Sequence, residues 1–170
     1  MDGDDGVIEI FLQPGEYFVG DADYRIRTLL GSCVSITLWH PHLRIGAMSH
    51  FLLASRPARA VPDFDARYGE EAMWLMAREL ERGGVLLSEC QGKIFGGGDM
   101  FPHQVRSSGI HVGRRNGETA RDLLYSYGVS LLSESLFGIG HRQIIFDIGS
   151  GDVWARQVQP VNFPQKKAMP

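Results

Sequence analysis

Two segments of the chain repeat hydrophobic residues with the period of an α-helix. Each carries four apolar side chains at positions i, i+3, i+4 and i+7: Met73, Met76, Ala77 and Leu80 in the first, and Ala120, Leu123, Leu124 and Tyr127 in the second. Asn116 is the predicted N-cap of the second helix, and Gly83 and Gly128 are placed to end the two helices. The pattern therefore predicts two amphipathic helices that cover a core.

Alternation of apolar and polar residues predicts strands in much of the remaining chain. Residues 34–38 alternate most clearly, and further β-rich runs lie at residues 7–12, 43–53, 143–148 and 152–158. The segments 84–89 and 128–134 follow the two helices and resemble each other in sequence. This similarity suggests an internal duplication in which a helix followed by strands occurs twice. Residues 54–66 contain two prolines and no periodicity, so they predict an exposed loop. Many strands and two helices favour an α+β layered fold over a doubly wound sheet.

Length and charge narrow the class of protein. A chain of 170 residues fits one domain spanning 1–170, with 1–6 and 160–170 as flexible tails. The 17 Lys and Arg against 20 Asp and Glu give a net charge of -3, which argues against nucleic acid as a partner. The acidic N-terminus is unlike a signal peptide, and no run approaches the ~18 apolar residues of a membrane span. We therefore expect a soluble cytoplasmic protein without direct membrane insertion.

The two cysteines, Cys33 and Cys90, are too few for a disulfide framework, so each is judged as a thiol. Cys33 follows Gly31-Ser32, where a sharp turn before a strand can expose a thiol and leave backbone N–H groups free to hold an oxyanion. A buried core thiol fits the same position. Cys90 has Glu89 beside it and no nearby cation, which predicts a structural thiol.

A reactive cysteine needs a base, and the chain offers six histidines: His40, His42, His50, His103, His111 and His141. His50 lies 17 residues after Cys33, so an antiparallel hairpin turning at residues 39–42 would bring the two together. A histidine hydrogen-bonded in the core fits that spacing equally well. His40 and His42 have the spacing of a metal pair, but no second cluster completes a site, so we expect no metal.

A glycine-rich segment at residues 95–101 could be mistaken for a phosphate-binding loop. It lacks the Gly-Lys-Ser/Thr ending and the following helix that such a loop requires. Its glycines more simply allow another backbone, or an extended peptide, to approach closely.

Five ordered segments together resemble one protein family. They are residues 28–36 (TLLGSCVSI), 45–53 (IGAMSHFLL), 93–101 (KIFGGGDMF), 110–116 (IHVGRRN) and 142–147 with 151–153 (RQIIFD and GDV). The chain, from about residue 15 to residue 158, resembles the CheD family of bacterial chemoreceptor glutamine deamidases. The resemblance implies a fold like that of cysteine-dependent toxin deamidases, a β-sandwich of mixed sheets with helices packed on the outside.

The resemblance also implies a catalytic set. The family cysteine corresponds to Cys33 and the family histidine to His50. Some relatives carry a threonine six residues before the cysteine, where this chain has Arg27, whereas Thr28 lies five before it. Because successive strand residues face opposite sides, we expect Thr28 to orient His50 only if a bulge corrects the register. The candidates for oxyanion or substrate-loop residues are Gly31, Ser32 and Gly97.

The implied activity is hydrolysis of glutamine side chains to glutamate in methyl-accepting chemotaxis receptors, through a Cys-His thioester mechanism that needs no metal or organic cofactor. A CheC-type phosphatase is the implied second partner. One alternative is a catalytically weak regulatory module that binds CheC and receptors. Another is a metal-dependent hydrolase that uses His40 and His42.

Overall fold

The computed structural model describes residues 6–58, 63–102 and 111–158, and this part of the chain forms strands and helices in mixed order. The strands are β1 Ile8–Phe11, β2 Tyr17–Gly20, β3 Tyr24–Leu30, β4 Val34–His40, β5 Ile45–Ser49, β6 Gln91–Gly96, β7 Ser130–Leu136, β8 His141–Asp147 and β9 Val153–Val158; the helices are α1 Gly69–Arg82 and α2 Val112–Ser126.

The strands form two mixed sheets. The four-stranded sheet has the order β1-β3-β8-β9, and the five-stranded sheet has the order β2-β5-β4-β6-β7. Each sheet contains one parallel pair, β1 with β3 and β6 with β7, and the remaining pairs are antiparallel. The chain between β6 and β7 includes α2, as a parallel connection requires a crossover.

Two hydrophobic cores hold three layers together. Between the sheets, Ile26 and Phe146 of the four-stranded sheet pack with Met48 and Phe95 of the five-stranded sheet. The second core lies between the outer face of the five-stranded sheet and the helices, with these members among others: Val34, Ile36, Leu38, Met73, Met76, Ala120 and Leu124. The structure thus confirms an α+β fold of two mixed sheets with both helices on the outside.

Most of the predicted elements are present, with shifted ends. The helix predicted around Met73 spans Gly69–Arg82 and is followed by Gly83. The predicted strands correspond to β1, β4, β5, β8 and β9, although β5 covers only Ile45–Ser49 of the predicted residues 43–53. Residues 84–89 form no strand, because Leu87–Glu89 is a 3-10 helical turn. The similarity between 84–89 and 128–134 therefore does not extend to structure.

The predicted N-cap of the second helix is wrong. The helix starts five residues earlier than predicted, at Val112, and His111 caps it by accepting the Arg114 N–H at Nδ1, 3.1 Å away. Asn116 instead lies inside α2 and is buried. The sequence rule failed because His111 supplies the same acceptor that an asparagine would supply.

The predicted loop and tails are covered only in part. Among the described residues between 54 and 66 there is neither helix nor strand, but Ala54 and Ala66 at its ends are buried rather than exposed. Residues 59–62 lie outside the described residues. Apart from Gly6, so do the predicted tails, residues 1–6 and 160–170.

Candidate functional site

The turn that carries Cys33 joins the two sheets. β3 of the four-stranded sheet ends at Leu30, Gly31 and Ser32 form the turn, and Cys33 directly precedes β4 of the five-stranded sheet. The Cys33 side chain is half-buried and packs beside the core between the sheets. Cys33 therefore lies at the edge of the sandwich, where a side chain can meet both the interior and an incoming molecule.

The glycine-rich segment packs directly against this turn. The N–H of Gly97 donates to the Cys33 carbonyl at 2.9 Å, and that of Gly98 donates to the Gly31 carbonyl at 2.9 Å. A Cβ on Gly96 would lie 2.2 Å from the Cys33 carbonyl oxygen. The prediction that these glycines let another backbone approach closely is confirmed. Gly97 cannot also serve as an oxyanion donor, because its N–H already binds Cys33.

His50 directly follows β5, the strand that pairs with β4 beside Cys33. Val34 and Phe51 exchange both backbone hydrogen bonds, at 3.1 and 3.0 Å, so the residues that precede them are diagonal neighbours on an antiparallel pair. Diagonal neighbours on one face are roughly 7–8 Å apart, within reach of longer side chains. Phe51 packs towards the helices, so His50 points the other way, into the space between the sheets. The hairpin predicted from spacing is therefore present, but its turn lies at residues 41–44 rather than at 39–42, because Trp39 and His40 belong to β4 and pair with β5.

Thr28 reaches His50 from the opposite sheet. Its Oγ1 lies 2.7 Å from His50 Nδ1 and also donates a hydrogen bond to the Leu12 carbonyl at 2.8 Å. β3 keeps one register with β8 from Arg25 to Leu30, so no bulge is needed, contrary to our expectation. Arg27 lies on the outer face of the sheet, where it pairs with Glu9.

The hydrogen bonds of Thr28 fix the proton on the His50 ring. A hydroxyl has one proton, and that proton is donated to Leu12. The Thr28 oxygen therefore accepts from Nδ1–H of His50, which leaves Nε2 without a proton. An unprotonated Nε2 is the form that can take a proton from a thiol.

Burial keeps both groups neutral. Desolvation lowers the pKa of His50 from 6.5 to about 4, and the charge of Glu16 opposes this only weakly. Desolvation also raises the pKa of the Cys33 thiol. At neutral pH the site therefore holds a thiol and a neutral imidazole rather than an ion pair.

Asn116 is a site residue that the sequence reading missed. From α2 its Nδ2 donates to the Ser32 carbonyl at 3.0 Å and to the Leu52 carbonyl at 2.8 Å. The helix can come this close because Gly113 and Gly117 carry no side chains; a Cβ at either would be 2.5 Å from a neighbouring atom. The sequence did contain a signal for this site: the glycines at positions 113 and 117 flank the polar residue and indicate that the helix packs closely there.

Arg142 was missed as well. It is buried, and its guanidinium donates to Ser135 Oγ and to the carbonyls of Gly96 and Phe137. Burial lowers its pKa. Arg142 thus ties β8 to the glycine-rich segment that supports Cys33.

Ser32 and Gly31 face the surface side of the turn. Ser32 lines a cavity of about 210 Å³ together with Met100, Phe101 and Val112. A Cβ on Gly31 would meet the Met100 side chain at 3.1 Å. This cavity beside Cys33, whose lining also includes Asp99 and His111, is large enough for a side chain.

The remaining candidates have other surroundings. Both ring nitrogens of His40 have protein partners, Glu89 Oε1 at 2.7 Å and the Leu43 N–H at 3.1 Å. Across residues 6–58, 63–102 and 111–158, no three His, Cys, Asp or Glu side chains are grouped to hold a metal ion. Cys90 is buried in the helix-side core, and desolvation raises its pKa to about 11. His103 lies outside the described residues.

Known proteins resemble this chain over most of its length. A protein from Albidiferax ferrireducens, "Probable chemoreceptor glutamine deamidase CheD 2", is 63% identical over 155 residues, 91% of this chain and 90% of the relative. The chain belongs to the CheD family. The family description "CheD chemotactic sensory transduction" matches residues 52–157, C-terminal to both Cys33 and His50.

Other CheD relatives agree. "Probable chemoreceptor glutamine deamidase CheD 1" of Chromobacterium violaceum is 44% identical over 92% of this chain and 81% of its own length. A CheD protein of Pseudomonas savastanoi pv. phaseolicola is 44% identical over 96% of this chain and 92% of its own length. Among solved structures, Bacillus licheniformis hypothetical protein YfiH superimposes with a TM-score of 0.45 at 11% identity, over 71% of this chain and 50% of that one.

For the described part of this CheD-family chain, neither helix combines the length and the hydropathy that crossing a membrane requires.

Proposed function

We propose that this CheD-family chain hydrolyses glutamine side chains of chemoreceptors to glutamate, with Cys33 as nucleophile, His50 as general base and acid, and Thr28 as the residue that orients His50. The observation that carries the proposal is the hydrogen-bonded chain from the Leu12 carbonyl through Thr28 to His50, beside Cys33. The names of the 63% and 44% identical relatives support the substrate.

The chemistry runs in two halves. His50 Nε2 takes the proton of the Cys33 thiol as the sulfur attacks the carboxamide carbon, which forms a C–S bond and puts negative charge on the oxygen. Protonated His50 gives its proton to the departing nitrogen, the C–N bond breaks and ammonia leaves a thioester. His50 then takes a proton from water, whose oxygen attacks the thioester carbon. The C–S bond breaks, protonated His50 returns its proton to the sulfur to restore the Cys33 thiol, and the product acid loses its own proton to solvent, which leaves a glutamate carboxylate.

The developing oxyanion needs donors near the sulfur. The backbone N–H groups of the Gly31-Ser32-Cys33 turn are the proposed donors, because they lie where the chain reverses direction beside the cavity lined by Ser32. A preorganised donor of this kind is worth roughly a hundredfold or more in rate. The substrate glutamine would enter through that cavity.

The resting protonation states fit this mechanism. A neutral thiol and a neutral imidazole react only when a carboxamide occupies the site, since proton transfer and attack then proceed together. Burial, which lowers the pKa of His50, also makes its protonated form a strong acid towards the departing nitrogen. The Cys33–His50 pair is therefore unreactive without substrate and reactive when substrate is bound.

The partners and organisation complete the proposal. We propose chemoreceptors as protein substrates, a CheC-type phosphatase as a second partner, a cytoplasmic location and a single deamidase domain over residues 1–170. Each conversion replaces a neutral amide by a carboxylate, which changes charge repulsion between receptor helices. The regulatory-module alternative depended on a displaced threonine, whereas Thr28 hydrogen-bonds His50.

The deciding experiment follows receptor glutamines by mass spectrometry. A purified chemoreceptor cytoplasmic fragment is incubated with the chain, and peptides are examined for the amide-to-acid mass change. We expect turnover by the wild type and by Cys90→Ala, and loss of at least roughly a thousandfold in Cys33→Ala, which lacks the nucleophile. Cys90→Ala is the matched control, because it removes the other thiol. Unchanged turnover in Cys33→Ala would refute the mechanism, and binding without any turnover by the wild type would favour the regulatory module.

A further inference from the structure

Asn116 occupies an unusual position for a helix residue. It lies in the second turn of α2, its side chain is 1% exposed, and both of its amide protons are directed at main-chain carbonyls outside the helix. Its Oδ1 is buried and, among the described residues, has no hydrogen-bond donor. A buried acceptor without a donor is unfavourable, so a residue that only filled space would be better apolar.

The two carbonyls belong to the two segments that flank the proposed site, one before β4 and one after β5. One is that of Ser32, the residue before Cys33, and the other is that of Leu52. In the register that pairs Val34 with Phe51, Leu52 is the residue opposite Cys33. The Val34–Phe51 pair is the last bridge recorded between these strands at this end. Asn116 therefore joins the two segments beyond their last backbone hydrogen bonds, two residues from Val34 at Ser32 and one residue from Phe51 at Leu52.

The bond to Ser32 also acts on Cys33 itself. The Ser32 carbonyl and the Cys33 N–H belong to one planar trans peptide, so they point in opposite directions. Fixing the carbonyl on Asn116 directs the Cys33 N–H away from α2. A hydrogen bond to the carbonyl also polarises the peptide and strengthens its N–H as a donor. The Cys33 N–H is one of the proposed oxyanion donors.

We infer that Asn116 is a positioning residue for the Cys33–His50 pair: its amide sets the plane of the Ser32–Cys33 peptide and the spacing between the two strands. The inference rests on the proposed function for its catalytic consequence, but the placement of Cys33 can be measured without substrate. Asparagine suits this role because one planar group supplies two donors. Aspartate would present an oxygen to the carbonyls, and leucine would present no donor at all.

The test compares Asn116→Leu with Leu124→Ala. Asn116→Leu keeps a similar shape and removes both donors. Leu124 is also buried in α2, but it packs on Gly92 away from Cys33, so Leu124→Ala is a destabilised control that leaves the two carbonyls bonded. All variants carry Cys90→Ala, so that Cys33 is the only thiol. Asn116→Ser, a smaller change that retains one donor, is a second variant should Asn116→Leu fold poorly.

The first readout is the rate at which iodoacetamide alkylates Cys33 at pH 7.5, which needs no substrate. We expect His50→Asn to slow alkylation by removing the base, Asn116→Leu to slow it by at least fivefold, and the double variant to show no further loss, because Asn116 acts through the same pair. Leu124→Ala should alkylate at the wild-type rate. An Asn116→Leu rate equal to that of Leu124→Ala would overturn the inference.

The second readout is deamidation of the receptor fragment. We expect Asn116→Leu to lower kcat at least tenfold with KM within threefold of the wild type, since Asn116 does not itself line the substrate cavity. Leu124→Ala should retain the wild-type kcat at temperatures where it is folded. A loss confined to KM would count against the inference. If the wild type itself shows no turnover, the proposed function fails, and the alkylation rates still decide whether Asn116 positions Cys33.

Discussion

The single proton of the Thr28 hydroxyl determines the chemistry available to His50. Because that proton is bound to the Leu12 carbonyl, the oxygen can only accept from Nδ1–H. A residue without a hydroxyl at position 28 would allow the His50 ring to adopt either tautomer. It would also remove the hydrogen bond that fixes the orientation of the ring. Under the proposed mechanism, Thr28 therefore acts as the carboxylate of a serine-protease triad acts, but without adding charge.

Replacing Thr28 tests this role. Thr28→Val keeps the branched shape but has no oxygen, so we expect kcat for receptor deamidation to fall by roughly ten- to a hundredfold, part of the contribution of a positioned base. Thr28→Ser keeps the hydroxyl and should stay within a few-fold of the wild type. The NMR signals of the His50 ring nitrogens should show Nδ1–H in the wild type and in Thr28→Ser only. Equal rates for the valine and serine variants would contradict the role.

At this scale the sequence predicted the residues that a family motif or a hairpin can bring together. Cys33 and His50 follow from the turn signal and the spacing. The contact of Thr28 with His50 was not predictable without a bulge, because some relatives carry the threonine six residues before the cysteine, at the position of Arg27. In this chain β3 pairs with β8 so that Thr28 faces inwards instead. Asn116 was misread because its partners, Ser32 and Leu52, are distant in sequence.

The contact between β4 and β6 depends on a missing side chain. Gly96 ends β6 with a φ of 114°, and a Cβ there would be 2.2 Å from the Cys33 carbonyl oxygen. Gly128, which follows α2, also has a positive φ, 73°, but its Cβ would meet nothing within 4 Å. Substitutions at the two glycines therefore distinguish the cost of backbone strain alone, at Gly128, from that of strain combined with steric overlap, at Gly96.

Alanine substitutions at these glycines should differ. Gly128→Ala introduces only the strain of a positive φ, so we expect it to lower the free energy of unfolding by roughly 1–2 kcal/mol and to leave turnover unchanged. Gly96→Ala adds a collision with backbone, so we expect a loss of at least roughly 3 kcal/mol and reduced turnover, because Cys33 must move. Urea unfolding and the receptor assay measure both quantities. Comparable losses at the two positions would show that the β6–Cys33 contact is softer than its geometry indicates.

The elements as a whole show what periodicity can and cannot decide. Helix α1 was predictable because it buries one regular face. Strand β4 was predictable because its apolar residues alternate with Ser35 and Thr37, although both of its faces are buried. The segments 84–89 and 128–134 share a pattern but differ in structure, since Leu87 turns into the helix-side core within a 3-10 turn while Ser130–Leu136 pairs with β6. Whether such a segment forms a strand or a 3-10 turn depends on the strand available to pair with it. A short apolar run in the sequence does not identify that pairing strand.

The whole molecule should lose stability in acid through one buried group. His50 has a pKa of about 4 in the folded chain and about 6.5 when unfolded. Below pH 6.5 the unfolded state therefore binds the proton first, so the free energy of unfolding falls with decreasing pH until both states are protonated near pH 4. The expected contribution is on the order of 3 kcal/mol.

Chemical unfolding between pH 7.5 and 4 measures this slope. The matched control is His50→Asn, which cannot titrate in this range and should show a shallower slope than the wild type by that amount. Parallel slopes for the two proteins would mean that His50 is solvated rather than buried as its surroundings indicate. Carboxylates titrate in both proteins and cancel in the comparison.

The division of the site between two sheets also has a consequence for biosynthesis. Thr28 lies on β3, whose antiparallel partner β8 is synthesised more than a hundred residues later. Cys33 and His50 instead flank the β4–β5 hairpin, which follows β3 almost immediately. A nascent chain would thus contain Cys33 and His50 long before β3 is paired with β8 and Thr28 can fix the tautomer of His50. Under the proposed mechanism, competence to modify receptors is reached only after translation has passed β8 and the sandwich has closed.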